Sequence, residues 1–211
     1  LSFEDAPTEI AAFRDGAEGV IPSTVGGDAC VPALAGVSGV VRTAQGEGVR
    51  GAEVRCISSD TVLVTYTDAS GQYEFAGLPI GGEYTLLPSS DWDADNGLTL
   101  LDILLVRDYL LGSPTLPSPY QKIAGDVSGN GGLSLLDVLR MRNLRLNPGS
   151  VWPVPSWRFV DAAYLFPDEE EPWPFPEAIT VSSLAGDTAG LDFIAVKMGD
   201  VNFSALPVAG P

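Results

Sequence analysis

The chain has 211 residues, room for one large domain or two small ones, and a hydrophobic fraction of 45%, enough for a real core. Eleven basic residues stand against 28 acidic ones, for a net charge of −17, and there is no histidine. This balance excludes nucleic acid and anionic membranes as partners, since both need clustered Lys and Arg. It leaves oxygen donors that suit Ca²⁺ or Mg²⁺ rather than imidazole-held Zn²⁺ or Cu²⁺.

Residues 1–35 hold two short apolar stretches, "EIAAF" and "GVIPS", among Pro, Gly and small residues, and predict an N-terminal arm rather than a domain. From 36 to 89 the runs "GVVRT", "AEVRCIS", "TVLVTYT", "GQYEFAG" and "EYTLLP" alternate with period two and are rich in Val, Thr and Tyr. With turn chemistry in "DASGQY" and "PIGGEY", they predict an antiparallel β-sandwich. Over 90–147 the period changes, and "LTLLDILLVRDYLLG" and "LSLLDVLRMRNLRLN" read as helices that stop at Gly or Asn-Pro. The first is apolar on nearly every side, which predicts burial by more than one neighbour. From 148 to 211 β-like runs return in "SWRFVDAAYLF", "AITVSSL" and "LDFIAVKMGD", with "PDEEEPWPFPE" as a surface loop between them. The expected class is mainly β with a small α part. No stretch reaches the eighteen uninterrupted apolar residues that a membrane span requires.

The window "DWDADNGLTLLD" places oxygen donors at the first, third, fifth, seventh, ninth and twelfth positions of an EF-type calcium loop. These are Asp91, Asp93, Asp95, the Gly97 carbonyl, Thr99 and Asp102. The template fits again in "DVSGNGGLSLLD", with Asp126, Ser128, Asn130, the Gly132 carbonyl, Ser134 and Asp137. Each copy runs into a predicted helix. The first has four carboxylates and is expected to hold calcium more tightly than the second, which has two. Asp-rich turns that merely cap helices are the alternative. A third, partial set occurs in "GDVNFS", where Asp200, Asn202 and Ser204 fill the first, third and fifth positions without an acid at the twelfth.

Residues 36–88, through "GVRGAEV" and "TDASGQYEFAGLPIGGEY", resemble the carboxypeptidase-regulatory-like or Cna-B-type domain, a transthyretin-like sandwich. The resemblance implies a structural or adhesive module without catalysis. Its five strands are few for such a sandwich, so a further strand must come from elsewhere in the chain or from a neighbour. The paired loop–helix region of 90–147 resembles a type I dockerin. More widely, "NGLTLLDILLVRDYLLG", "SPYQKIAGDVSGNGGLSLLDVLRMRNL" and "DFIAVKMGDVN" are similar to large secreted surface proteins of gliding bacteria. That likeness implies a calcium-binding, non-enzymatic, extracellular protein at the cell surface. Dockerins that bind cohesins usually carry small polar residues at loop positions ten and eleven. Here Leu100-Leu101 and Leu135-Leu136 stand there, so the cohesin contact is not carried over and the leucines are expected in the core.

Cys30 and Cys56 are either two buried thiols or, in an extracellular protein, a disulfide worth roughly 3 kcal/mol on the chain-entropy model. Asn202 heads a glycosylation sequon, and Thr61 and Thr188 sit in Asp-Thr-apolar patterns that resemble bacterial O-glycan sites. Trp152, Trp157, Trp173 and Phe175 are expected to pin loops to the core rather than to stack on sugars. Neither cysteine has a histidine partner and no G-x-S-x-G or phosphate loop is present, so no enzyme is expected. The resulting expectation is a calcium-braced extracellular subunit that self-associates through its arm, with Ile10, Phe13, Val20 and Ile21 pairing on a neighbouring copy or folding back. The alternative is a docking module that recruits a secreted partner protein.

Overall fold

Five strands form where the alternating runs predict them: β1 (Leu34–Thr43), β2 (Glu53–Ile57), β3 (Val62–Tyr66), β4 (Gln72–Pro79) and β5 (Tyr84–Ser89). The computed structural model describes residues 33–147 and 149–211, so the arm, Cys30 and the four apolar arm residues lie outside the described residues. Along β1 every second side chain is buried, including Ala35, Val37 and Val41, while the residues between them face outward.

Those five strands do not close a sandwich alone. The C-terminal part supplies β6 (Trp157–Asp161), β7 (Ile179–Val181) and β8 (Phe193–Lys197). One sheet has the order β4-β1-β8-β6 and the other β3-β2-β5-β7. The extra strands thus come from the same chain. The boundary expected between 36–89 and 148–211 is crossed by backbone ladders: β8 pairs parallel with β1 and antiparallel with β6, and β7 pairs with β5. Residues 33–211 belong to one compact unit.

The helical region packs on the outer face of the first sheet. It contains α1 (Leu100–Leu110), α2 (Pro119–Gly125) and α3 (Leu135–Leu146). Strand β8 is buried at all five positions because it is covered on both faces. Phe193 and Ala195 join the core between the sheets, whereas Val196 joins a second core with Val106, Ile123 and Met141 from the helices. Helix α2 was not anticipated, although its signal is present: Ser118 is its N-cap, Pro119 opens it, and Gln121 Oε1 accepts the Ser118 amide at 3.1 Å.

The helix burial differs from expectation. Leu100 and Leu101 are 65% and 53% exposed, and Leu135 and Leu136 are 68% and 45% exposed. Only Asp102, Ile103 and Val106 of α1 are buried, so one stripe suffices to dock it and the two leucine pairs stand outside the core. The aromatic residues follow the core reading: Trp157 is buried between the sheets, and Trp152, Trp173 and Phe175 pack on the second core. The acidic Pro-rich loop is held by Lys122, whose Nζ donates to the Glu169 carbonyl at 2.8 Å and pairs with Glu170 at 2.9 Å. At the loop's far end Arg158 makes a two-pronged contact with Glu177, at 2.9 and 2.8 Å.

Candidate metal centre

The contiguous loop of 126–137 joins α2 to α3. Asp126 and Asp137 are both fully buried. The Asp126 carboxylate accepts the amides of Gly129, Asn130 and Gly131 at 2.8, 3.1 and 2.9 Å, with the Ser128 hydroxyl at 3.2 Å. Gly129 and Gly131 supply the left-handed backbone, φ +70° and +80°, that turns those amides inward. Asp137 accepts the Ser128 amide on Oδ1 at 2.8 Å and the Ser134 amide and hydroxyl on Oδ2 at 2.9 and 2.8 Å. Asp137 thereby closes the capping box at the start of α3.

Asp102 does the same at the start of α1. It is fully buried, and its Oδ2 accepts the Thr99 amide at 2.8 Å and the Thr99 hydroxyl at 2.5 Å. Its Oδ1, however, accepts the amide of Asn202 at 3.0 Å, not a group from 91–95. The segment after β8 lies along 96–102. Asn202 Nδ2 donates to Thr99 Oγ1 at 3.3 Å, the Ser204 hydroxyl donates to the Gly97 carbonyl at 3.1 Å, and the Asn96 side chain brackets the Leu206 backbone at 2.9 and 3.0 Å. Asp200, 3% exposed, accepts the Ser204 and Ala205 amides, both at 2.9 Å. Burial pushes the Asp200 carboxyl upward, with the Asp102 charge adding to it.

Asp91, Asp93 and Asp95 are exposed. Asp91 accepts the Ser156 amide at 2.9 Å, and Asp93 has φ +51°, with burial first and then the neighbouring Asp95 pushing its carboxyl upward. Beside them Lys197 donates to the Ala94 carbonyl at 2.9 Å; burial lowers its ammonium to about 8, against the pull of Asp200, Asp93, Asp95 and Asp91. No three His, Cys, Asp or Glu side chains gather in one metal-sized group among the described residues, so the four carboxylates of the 91–102 window do not share a cage.

The donor chemistry fits calcium at the buried pairs. Every side-chain donor is an oxygen, and none of the ion pairs among the described residues uses Asp102, Asp126, Asp137 or Asp200. The hydrogen-bond donors to these four buried carboxylates are all neutral, and only Asp200 feels a nearby ammonium, Lys197, a costly arrangement without a bound cation. Asn202 Oδ1 is in addition buried and without a hydrogen-bond partner. Other marked residues are placed less suggestively. Thr61 is exposed, and Thr188 is half-buried with its hydroxyl on the Gly186 carbonyl at 3.0 Å. Asn202 Nδ2, the atom a glycan would take, is turned to Thr99. Cys56 is a buried thiol with no disulfide partner among the described residues, which do not include Cys30, and burial pushes it up.

No curated protein matches the chain. Among solved structures, similarity reaches the Bacillus anthracis TIE protein, at 20% identity and TM-score 0.25 over 26% of this chain and 11% of that one. It also reaches BcpA, the major pilin subunit of Bacillus cereus, at 15% identity and TM-score 0.26 over 28% of this chain and 19% of that one. A third is Klebsiella pneumoniae 5-hydroxyisourate hydrolase, at 22% identity and TM-score 0.24 over 26% of this chain and 55% of that one. Likenesses this partial transfer neither fold nor activity. The family match is local: residues 36–91, which include most of β1 and all of β2 to β5, match the carboxypeptidase regulatory-like domain.

Proposed function

We propose that this chain is a non-enzymatic, calcium-stabilised structural subunit of the cell exterior that assembles with copies of itself into a fibre or surface layer. The observation that carries the calcium part is the pair Asp126 and Asp137, both fully buried and faced only by neutral donors. Asp126, Ser128, Asn130, the Gly132 carbonyl, Ser134 and Asp137 would hold the ion, which supplies the positive charge the two carboxylates lack. Because the loop joins α2 to α3, and both pack on the sheet through the second core, fixing it braces the helical layer. A regulatory-like domain over 36–91 is consistent with a non-catalytic role.

Self-assembly is supported by β3, an edge strand whose Val62, Val64 and Tyr66 are 55%, 50% and 62% exposed. Such an edge offers unpaired backbone groups and apolar side chains to an added strand. The arm, with Ile10, Phe13, Val20 and Ile21, has the composition to supply one in a neighbouring copy. The test is electron microscopy and sedimentation of the full chain in millimolar calcium, beside Val64→Lys and a deletion of residues 1–24. Assembly by the native chain alone, with both variants folded and monomeric, supports the reading. A native chain that stays monomeric at high concentration overturns it.

The second reading, a dockerin-like module that recruits a secreted protein, is favoured by one observation. Leu100, Leu101, Leu135 and Leu136, at the starts of α1 and α3, are exposed where a docking contact would need them.

A further inference from the structure

We propose that the protein builds a second calcium loop from two separate stretches of chain, with Asp200, Asn202 and Ser204 as its first half and Gly97, Thr99 and Asp102 as its second. The proposal rests on the calcium reading of 126–137 and reassigns the other site. In the contiguous loop the order is "GDVSGN" followed by "GLSLLD"; in the split one it is "GDVNFS" from the C-terminal end and "GLTLLD" from the start of α1.

The two share most of their hydrogen bonds. In each, the third-position amide donates to the twelfth-position acid: Ser128 to Asp137 at 2.8 Å, and Asn202 to Asp102 at 3.0 Å, the latter across 100 positions of sequence. In each, the first acid accepts the fifth and sixth amides, Asn130 and Gly131 for Asp126, Ser204 and Ala205 for Asp200. The fourth residue is left-handed in both, Gly129 at φ +70° and Phe203 at φ +60°. Phenylalanine rarely adopts that region, so the surroundings impose it. Val127 and Val201, which follow the first acids, are both fully buried in the second core.

An independent observation points to a ligand. Asn202 Oδ1 is shielded from solvent and has no partner, although its own Nδ2 and backbone amide are tied to Thr99 and Asp102. It is the third-position oxygen of the loop, flanked by two buried carboxylates that form no ion pair among the described residues. A hard cation satisfies all three at once. The two halves are held in register without it. A Cβ on Gly97 would come within 2.6 Å of Ala205 Cβ, and Asn96 laces the Leu206 backbone. The exposed acids Asp91, Asp93 and Asp95 are then not ligands. Calcium at this site would staple residues 200–206 to the first turn of α1.

The experiment counts calcium ions bound per full-length chain by native mass spectrometry and equilibrium dialysis, with hydrogen exchange measured before and after chelation. The native chain should bind two ions; Asp126→Asn, Asp200→Asn and Asp102→Asn should each leave one, and the double variant Asp93→Asn/Asp95→Asn should keep two. Chelation should speed exchange at 97–102 and 200–206 together, a readout that needs no variant to fold. Two ions retained by Asp200→Asn, an ion lost from the Asp93/Asp95 double variant, or exchange at 200–206 indifferent to chelation while 126–137 responds, each overturns the split site and leaves the calcium reading intact. A native chain that binds no calcium at millimolar concentration overturns both.

Discussion

Asp68 shows how one exposed carboxylate sets a turn. Its Oδ1 accepts the Ser70 hydroxyl at 2.7 Å and the amides of Ser70 and Gln72 at 2.8 and 2.9 Å, and those bonds hold its carboxyl below the usual range. A carboxyl lowered in the folded state stabilises the fold above its unfolded value, and the contribution disappears as pH falls through the folded value. Asp68→Ala should therefore lower the melting temperature at neutral pH, and the gap to the native chain should close on acidification; thermal scans across that range check it. Exposure also separates acids that look alike in sequence. Asp91, Asp93 and Asp95 fit the calcium template as well as Asp126 does, yet they are solvated and Asp126 is buried. Spacing along the chain carries no information about which acid meets water.

Among the elements, the helix starts are the most informative. Thr99 and Ser134 cap α1 and α3 through acids three residues on, so helix cap and candidate metal ligand are the same side chain. That double use explains why the capping alternative and the calcium-loop reading were both legible and not separable from sequence. The exposure of the leucine pairs was not legible, because apolar residues in a helix run read as core until a neighbour is found or missed. Leu135→Ser/Leu136→Ser should shift stability by no more than about 0.5 kcal/mol per site in denaturant titration, as exposed positions do. The same variant should abolish recruitment of a secreted partner if these leucines are a docking face, and leave self-assembly through β3 untouched. A large loss of stability would place them back in the core.

At the scale of the whole molecule, β8 links the layers, since it sits between β1 and β6 and faces a core on each side. Phe193 is fully buried there, and Phe193→Ala should cost about 3–5 kcal/mol. A fall in melting temperature on the order of 10 °C, in a single transition for sheets and helices alike, would show the layers to be one cooperative unit. Chelation should add its own drop, since a ligand that binds only the folded state at a hundredfold excess over Kd contributes about 2.7 kcal/mol. Separate transitions for sandwich and helical region would contradict the cooperative picture.

What the chain determines by itself is local: the period-two runs that become β1 to β5, the helix runs with their caps, the all-oxygen donor set and the contiguous loop of 126–137. Each depends on residues within a dozen positions of one another, where backbone period and turn chemistry act directly. The tertiary structure alone decides that β6, β7 and β8 complete the sandwich, that Asp91, Asp93 and Asp95 stay in water, and that Asp102 looks to Asn202 across 100 positions. Those outcomes follow from which faces are covered when β8 inserts beside β1 and carries residues 200–206 to the start of α1. A one-dimensional pattern cannot express that placement, because side-chain burial is set by neighbours distant in sequence.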